Sequence, residues 1–364
     1  MNDIASRETT AKTTSSAKAA RQAASASSTS VKTVNLALQG GGAHGAFTWG
    51  VLDRLLEEES IAFEGVSATS AGAMNAAVLA YGLTVGGREG ARKALNNYWR
   101  RISHSAMSSP LQPSPIDRML KDHSLRFSPA FQFFDMLTRL MSPYEFNPMN
   151  LNPLRDVLEQ SVDFAVLQRE DCPVKLFLSA TNVRTGKVKI FEHHELTASA
   201  VLASACLPFM FQAVEIDGEA YWDGGYMGNP ALFPLIYNCT SPDIVIVHIN
   251  PLNRNELPKT ATEILNRINE ISFNSSLMRE MRAISFVTKL IDTENLEEAK
   301  HVRIHGISDD QLMTGLGVAS KLNADWEFLT HLRDVGRVRA EEWMGQHFAK
   351  VGIESTVDIH DKFL

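Results

Sequence analysis

The alternation of apolar and polar positions predicts an α/β protein at the start of the ordered chain. Val34–Gln39 and Ile61–Thr69 are short apolar runs that predict two buried strands. A helix is predicted between them, because apolar residues recur at helical spacing at Phe47, Val51, Leu52, Leu55 and Leu56. A helix of small residues then runs from Ala71 to about Tyr81. This order of elements predicts parallel strands joined by right-handed crossovers.

The rest of the chain continues with the same two kinds of element. The predicted strands are Val174–Val183, Val188–Glu192, Ala213–Ile216 and Ile244–Ile249, the first two forming a hairpin around Gly186. The predicted helices are Ala91–Ile102, Leu196–Cys206, Thr260–Asn295 and Asp325–Phe348. The segment Phe127–Met149 is dense in Phe, Met and Leu, which favours a buried helix.

The first 32 residues differ from everything that follows. They are rich in Ser, Thr and Ala and contain no apolar face to bury, so residues 1–32 are expected to be a disordered tail. A transit peptide is the alternative for this stretch, although Asp3 and Glu8 argue against it. Residues 33–364 contain no internal repeat and no clear boundary, which predicts a single α/β domain with a helical extension at its C-terminus.

Composition restricts the function classes. Of the 364 residues, 44% are hydrophobic and 21% are charged, as in ordinary globular proteins. The 35 basic and 42 acidic residues give a net charge of −7, which argues against nucleic-acid binding because phosphate contacts need a dense basic face. No apolar run reaches the roughly 18–20 residues of a membrane span. The three scattered cysteines predict reduced thiols, a cytoplasmic location and no metal site.

A glycine-rich turn joins the first strand to its helix. It consists of Gly40, Gly41, Gly42, Ala43, His44 and Gly45. Such a turn brings backbone N–H groups and a helix N-terminus towards an anion. It also satisfies G-x-G-x-x-G, so a dinucleotide site is an alternative, which requires an acidic residue about 20 positions on. Glu64 lies near that place, but within the second strand instead of at its end.

A second motif lies where the second strand meets its helix. It consists of Ala68, Thr69, Ser70, Ala71 and Gly72. Small residues on both sides of a serine at a strand-to-helix turn are typical of a nucleophile elbow, which presents the hydroxyl at a helix N-terminus. The alternative is a serine-containing turn without chemical importance.

A serine nucleophile needs a base, and the sequence offers a carboxylate. None of the eleven histidines has a neighbouring motif that would direct it to Ser70. Asp223 ends an apolar strand and is followed by Gly224 and Gly225, which free the backbone to turn away. The alternative is a plain Asp-Gly turn. As sole base, Asp223 would need partial desolvation to raise its proton affinity.

The three motifs together resemble the patatin-like phospholipase family, and the resemblance covers about residues 33–250. It implies a three-layer α/β/α fold with a mainly parallel sheet and a Ser–Asp dyad at its carboxyl edge. Ser70 would attack a lipid ester, Asp223 would take its proton, and the amides of Gly41 and Gly42 would form the oxyanion hole. No cofactor is implied. A lipid is the expected partner, with peripheral membrane contact as a further expectation.

Two residues depart from the family pattern. His44 stands where Arg or Lys is usual, so a positive charge there is expected to depend on pH near 6.5. Ala68 stands where glycine is usual, and alanine is small enough for the turn to survive.

Alternative functions follow from the same residues. A lipid-binding or regulatory protein without turnover, acyl transfer to another alcohol, and a nucleotide-dependent oxidoreductase each remain as hypotheses. For a lipid hydrolase, Phe127–Met149 has a second interpretation as a flap that covers an acyl chain or touches a lipid surface.

Overall fold

The computed structural model describes residues 31–120, 123–125, 127–294 and 300–364. The predicted disordered tail lies outside the described residues except at its end, where Lys32 already belongs to the first strand. The ammonium of Lys32 donates to the carbonyls of Phe348, Ala349 and Val351 at 2.8–2.9 Å. The beginning of the sheet is therefore fixed to the end of the last long helix.

Strands from the whole chain form one mainly parallel sheet. They are β1 Lys32–Leu38, β2 Ile61–Ala68, β3 Lys175–Asn182, β4 Val188–Phe191, β5 Val214–Ile216, β6 Glu219–Asp223, β7 Asp243–His248 and β8 Arg303–Ser308. Their order is β5-β6-β3-β2-β1-β7-β8, and β4 pairs with β3. Strands β3, β2, β1, β7 and β8 are parallel, whereas β4, β5 and β6 join antiparallel.

Helices flank this sheet on both faces. The α-helices are α1 Gly45–Leu55, α2 Ala71–Met107, α3 Pro115–Leu120, α4 Pro129–Leu140, α5 Pro143–Phe146, α6 Pro153–Glu159, α7 Phe164–Leu167, α8 Ala198–Ser204, α9 Phe233–Asn238, α10 Ala261–Glu294, α11 Asp310–Gly315, α12 Trp326–His347 and α13 Ile359–Phe363. Short 3-10 turns span Gly42–His44, His193–Glu195, Gly224–Tyr226, Ala319–Leu322 and Phe348–Lys350.

Strand β1 shows why the fold has three layers. Successive side chains of a strand point to opposite faces, and both faces of β1 are buried. Val34, Leu36 and Leu38 belong to the core that contains α1, α2 and α12, whereas Ala37 belongs to a second core with side chains of α9 and α10. A strand covered on both faces reads as a continuous apolar run, which is the pattern that predicted it.

Helix α12 closes the larger core at the far end of the chain. Phe328, Leu329 and Leu332 are buried in the cluster that contains Phe47 and Val51 of α1. Full burial of one such side chain contributes about 1.5–3 kcal/mol. The C-terminal helix is therefore part of the main core.

Most of the predicted elements are confirmed, with differences in the middle of the chain. Helix α2 continues past the predicted end at Tyr81 to Met107 and includes the predicted helix Ala91–Ile102. It changes direction at Gly86 and Gly87, where φ of Gly87 is +60°. Gly86 and Gly87 are themselves non-helical, so the two predicted helices are present on either side of this kink, the first extending beyond Tyr81.

Two further predictions were wrong. Strand β8 was not predicted, because its two strongly apolar residues, Ile304 and Ile307, are three positions apart and lack the period of two that indicates a strand. The favoured buried helix within Phe127–Met149 is instead the exposed helix α4, none of whose side chains is buried.

Candidate active site

Ser70 occupies the turn between β2 and α2, as the second motif predicted. Its φ of +55° and ψ of −122° are rare for a residue other than glycine and cost about 1–3 kcal/mol. Hydrogen bonds hold this backbone: the Ser70 amide donates to Oγ of Ser204 at 2.9 Å, and Oγ1 of Thr69 donates to the carbonyl of Gly228 at 2.6 Å. Strain kept in place by neighbouring contacts is a recurring feature of functional sites.

The sheet register brings Asp223 to the level of Ser70. Ala68 of β2 pairs with Leu178 of β3, and Asp223 pairs with Ala180, two residues further along β3. Ser70 lies two residues beyond Ala68, so both side chains reach the same level on either side of β3. The sheet therefore joins two residues that are 153 positions apart in the sequence.

The carboxyl group of Asp223 is fully buried. Its Oδ1 accepts a hydrogen bond from the amide of Gly225 at 2.7 Å. The Ser70 hydroxyl acts to lower the pKa of the carboxyl group, yet no hydrogen bond of standard geometry joins the two side chains among those described, and Oδ2 has no partner. The contact between the two side chains is thus loose, as catalytic hydrogen bonds often are before substrate binds.

Burial sets the proton affinity of this carboxyl group. It raises the pKa of Asp223 to about 6, although the Gly225 amide, the Ser70 hydroxyl and the Lys321 ammonium all act to lower it. A carboxylate with a pKa near 6 is ionised at neutral pH and is a better base than an exposed aspartate. The sequence analysis predicted that Asp223 must be partly desolvated to act as a base, and Asp223 is indeed buried.

The glycine-rich turn lies beside Ser70. The amide of Gly40 donates to Oδ1 of Asn229 at 2.7 Å, and its carbonyl accepts from the Asn250 side chain at 2.7 Å. In the described part of the chain, no protein acceptor receives the amides of Gly41 or Gly42. Gly42 also lines the pocket that contains Ser70, whereas Gly41 is buried. Neither amide is therefore engaged by a described protein acceptor, and Gly42 is the one of the two that lies at the pocket.

An apolar pocket of about 210 Å³ opens at Ser70. Besides the glycine-rich turn it is lined mainly by apolar side chains, which include Met74, Trp99, Ile102, Leu154, Leu207 and Met210. A larger surface cavity of about 420 Å³ near Arg254 is lined by neither Ser70 nor Asp223. The smaller pocket is suited to a hydrocarbon chain, because it offers few polar partners.

Histidine takes no part in this site. The ring of His44 is buried, with Nε2 at 2.8 Å from Oγ of Ser320. Burial, followed by the charge of Lys321, lowers the pKa of His44 to about 3. The expected titration near 6.5 was therefore wrong, and His44 is neutral at neutral pH. Among the described hydrogen bonds, no histidine ring contacts Ser70 or Asp223.

Lys321 carries the positive charge in the pocket, and sequence reasoning missed it. It belongs to the 3-10 turn Ala319–Leu322 and lines the same pocket as Ser70. Its segment has no motif, and its approach to the glycine-rich turn depends on long-range packing. No local signal in the sequence indicates this position.

Glu64 settles the dinucleotide alternative. Its carboxylate accepts hydrogen bonds from the amides of Thr240 and Ser241 at 2.6 and 2.8 Å, at the approach to β7. It lies within β2 and serves to hold this loop. The acidic residue that a dinucleotide site requires is therefore already engaged elsewhere.

The fold and these motifs define the class of protein. The model of the patatin-like phospholipase family matches residues 36–236, which is more than half of the chain. The chain belongs to the patatin-like phospholipase family, and its fold is the three-layer α/β/α arrangement predicted from the sequence. Membership supports lipid hydrolysis in the broad sense.

Solved structures are similar at low sequence identity. VipD from Legionella pneumophila is 14% identical, with a TM-score of 0.40 over 86% of this chain and 67% of VipD. A chain of the heterodimeric ExoU–SpcU complex from the type III secretion system of Pseudomonas aeruginosa is 16% identical, with a TM-score of 0.39. That match covers 87% of this chain but 52% of the other, so this chain spans about half its length. No curated protein sequence matches the chain.

Proposed function

We propose that the protein hydrolyses carboxylic esters of lipids through an acyl-enzyme on Ser70, with Asp223 as the base. The observation that carries this proposal is the placement of a strained serine and a buried, ionisable carboxylate at one level of the sheet, at the end of an apolar pocket. A family of lipid hydrolases makes a lipid ester the natural substrate class.

Each reacting group has a role in the proposed cycle. Asp223 accepts the hydroxyl proton as Oγ of Ser70 attacks the ester carbonyl. The resulting oxyanion is bound by the free amides of Gly41 and Gly42, and one such donor contributes about 2.7–4 kcal/mol to the transition state. The protonated carboxyl group then gives its proton to the leaving alcohol. Water, deprotonated by Asp223, attacks the acyl-enzyme; Asp223 then returns the proton to Oγ of Ser70 as the fatty acid leaves.

Substitutions at the two residues test this proposal. Ser70→Ala and Asp223→Asn are each expected to reduce hydrolysis of p-nitrophenyl butyrate and of phosphatidylcholine by at least about 10³-fold. Ser108→Ala, on the exposed end of α2, serves as the matched serine control. Full activity in folded Ser70→Ala would contradict the mechanism.

A chemical probe separates turnover from lipid binding alone. A fluorophosphonate should modify Ser70 in the wild-type protein and leave Ser70→Ala unlabelled, as found by mass spectrometry of peptides. A protein that binds lipid without labelling would support the regulatory alternative. Product analysis with added glycerol distinguishes hydrolysis from acyl transfer, because transfer yields a new ester in place of the free fatty acid.

An exposed apolar surface supports peripheral contact with a membrane. Phe133, Met136 and Leu140 lie on one face of α4 and are 61%, 49% and 74% exposed; we name this face the apolar ridge. The segment after α4 is hydrogen-bonded to the chain near the pocket: the amide of Ala213 donates to the hydroxyl of Tyr144 at 3.3 Å. Phe209, 68% exposed, adjoins Met210 of the pocket lining.

The described helices include none with the length and apolar character needed to cross a bilayer. Contact through the apolar ridge is therefore proposed as binding at the lipid surface. The cytoplasmic location stays a prediction, and the free thiols of Cys172, Cys206 and Cys239 are compatible with it.

A further inference from the structure

Lys321 places an ammonium group in an otherwise apolar pocket. Its Nζ donates to Oδ1 of Asn250 at 3.0 Å and lies 5.7 Å from the centroid of the Phe273 ring. The desolvation of a lysine is costly and lowers its pKa, here to about 8. A charge kept in such surroundings needs a compensating partner nearby.

The glycine-rich turn fixes the backbone on which Lys321 stands. Gly42, with φ of +59°, packs directly against the carbonyl of Lys321 and leaves no room for a β-carbon. Oγ of Ser320 donates to the carbonyl of Gly317 at 2.8 Å, so it accepts the hydrogen bond from Nε2 of His44. Two neighbouring contacts therefore attach the 3-10 turn Ala319–Leu322 to the proposed oxyanion hole.

Two carboxylates act on the Lys321 charge, and only one of them is without an arginine partner. Glu270 is bound by Arg254 in three hydrogen bonds of 2.5, 2.9 and 3.1 Å and by Arg267 at 3.2 Å. Asp223 has no arginine or lysine in its hydrogen bonds. Glu270 raises the pKa of Lys321 more than Asp223 does, but Glu270 already has two arginine partners, so Asp223 is the carboxylate of the two that is left without a paired cation.

The other groups that face Asp223 supply no positive charge. Cys206 and Tyr226 both lie within electrostatic reach, and burial raises the pKa of the thiol to about 12 and that of the phenol to about 12. Both are neutral at neutral pH. Of the described residues, Lys321 is the cation whose charge lowers the pKa of Asp223.

We propose that Lys321 is a positioning residue of the dyad, whose charge keeps the Asp223 carboxylate ionised and ready to accept the Ser70 proton. This inference rests on the proposed function, since it assumes that ionised Asp223 is the base. It assigns a role to the segment after β8, which contributes no residue to the three sequence motifs.

The pH dependence of hydrolysis tests this role. We would measure kcat/KM for p-nitrophenyl butyrate from pH 4.5 to 8.5 in wild type, Lys321→Gln and Lys321→Arg. The glutamine retains a donor for Asn250 but removes the charge. The low-pH limb of the kcat/KM profile should therefore move to higher pH by about one unit. This shift corresponds to about a tenfold loss of kcat/KM near pH 5 and little change at pH 8. Lys321→Arg should retain the wild-type limb.

Controls keep the outcomes distinct. Lys300→Met removes a partly buried lysine that donates to the carbonyl of Cys239, away from the pocket, and should leave the limb in place. If Lys321→Gln fails to fold, the same pH profile is measured with Lys321→Met, which also removes the charge. An unshifted limb, or an equal loss at every pH, overturns the proposal for Lys321. Activity in Ser70→Ala overturns the proposed function instead.

Discussion

Gly40 and Ser70 are so close that a β-carbon on Gly40 would lie 2.6 Å from the β-carbon of Ser70. The same atom would lie 2.9 Å from the carbonyl oxygen of Thr69. Nothing in this contact can move cheaply, because it is formed by the backbone and the first side-chain atom of the elbow. The positions of the glycine-rich turn and the elbow therefore depend on each other, because the close approach requires glycine at position 40.

Gly40→Ala is expected to displace Ser70 from the level of Asp223. Because a misplacement of about 1 Å can cost about 10²-fold in rate, we expect at least that loss of kcat/KM for p-nitrophenyl butyrate. Gly345→Ala is the matched control, since its β-carbon would meet no atom within 4 Å. Similar activity of both variants would show that the elbow tolerates the displacement.

Asp223→Asn is expected to stabilise the protein while abolishing hydrolysis. Folding raises the pKa of Asp223 from 3.8 to about 6, so the folded state binds the proton more tightly and stability falls as pH rises through that interval. The neutral amide should add about 1–3 kcal/mol to the unfolding free energy at pH 8. The gain should be smaller at pH 5, where folded Asp223 is mostly protonated.

Denaturant unfolding at both pH values measures this difference. Asp217→Asn, on an exposed turn, provides the control for loss of one negative charge. An equal effect of the two substitutions at pH 8 would mean that burial of the Asp223 charge carries no stability cost.

Substitution on the apolar ridge should separate lipid binding from chemistry. Phe133→Ser with Leu140→Ser removes apolar area from α4 without touching the pocket, so sedimentation with phosphatidylcholine vesicles should fall about tenfold or more. Hydrolysis of soluble p-nitrophenyl butyrate should stay unchanged. Tyr237→Ser, which removes another exposed aromatic ring on α9, is the control. Unaltered vesicle binding in the ridge variant would exclude this face as the lipid contact.

Lys32→Met should weaken the junction between β1 and the end of the chain. Its ammonium satisfies three carbonyls that follow α12, and hydrogen bonds to a charged group contribute about 1.5–3 kcal/mol. Since Lys32 is only partly buried, we expect a loss of about 1–2 kcal/mol in unfolding free energy. Lys93→Met, on the exposed side of α2, is the reference. A midpoint of urea unfolding equal to that of the reference would show that water replaces these bonds without cost.

The first elements of the fold and the two residues of the proposed dyad were predictable because each has a local sequence pattern. The β1–α1–β2–α2 order follows from apolar runs and helical spacing, and Ser70 could be selected because small residues flank it at a strand-to-helix turn. Asp223 could be selected because it ends an apolar strand before two glycines. The register that brings the two residues together was not predictable in this way, because β3 pairs parallel with β2 but antiparallel with β6, which carries Asp223.

The parts that were missed depend on distant packing. The polar residues of Arg303–Ser308 acquire partners only in the fold, where His305 and Arg303 bind Asp243 of β7. His44 is neutral because its ring is buried against Ser320. The position of Lys321 depends on the packing of its carbonyl against Gly42. None of these relations has a local pattern. The exposure of α4 likewise has no signal in its Phe-, Met- and Leu-rich sequence.

The packing of α12 against α1 sets a minimum length of chain for the folded site. Residues 36–236 hold both members of the proposed dyad, yet the helix that covers α1 and the lysine of the pocket come after residue 236. A fragment cut at that point would present the apolar side of α1 to water and lose the cation beside Asp223. The family match at residues 36–236 is therefore shorter than the length of chain that must fold to form the site.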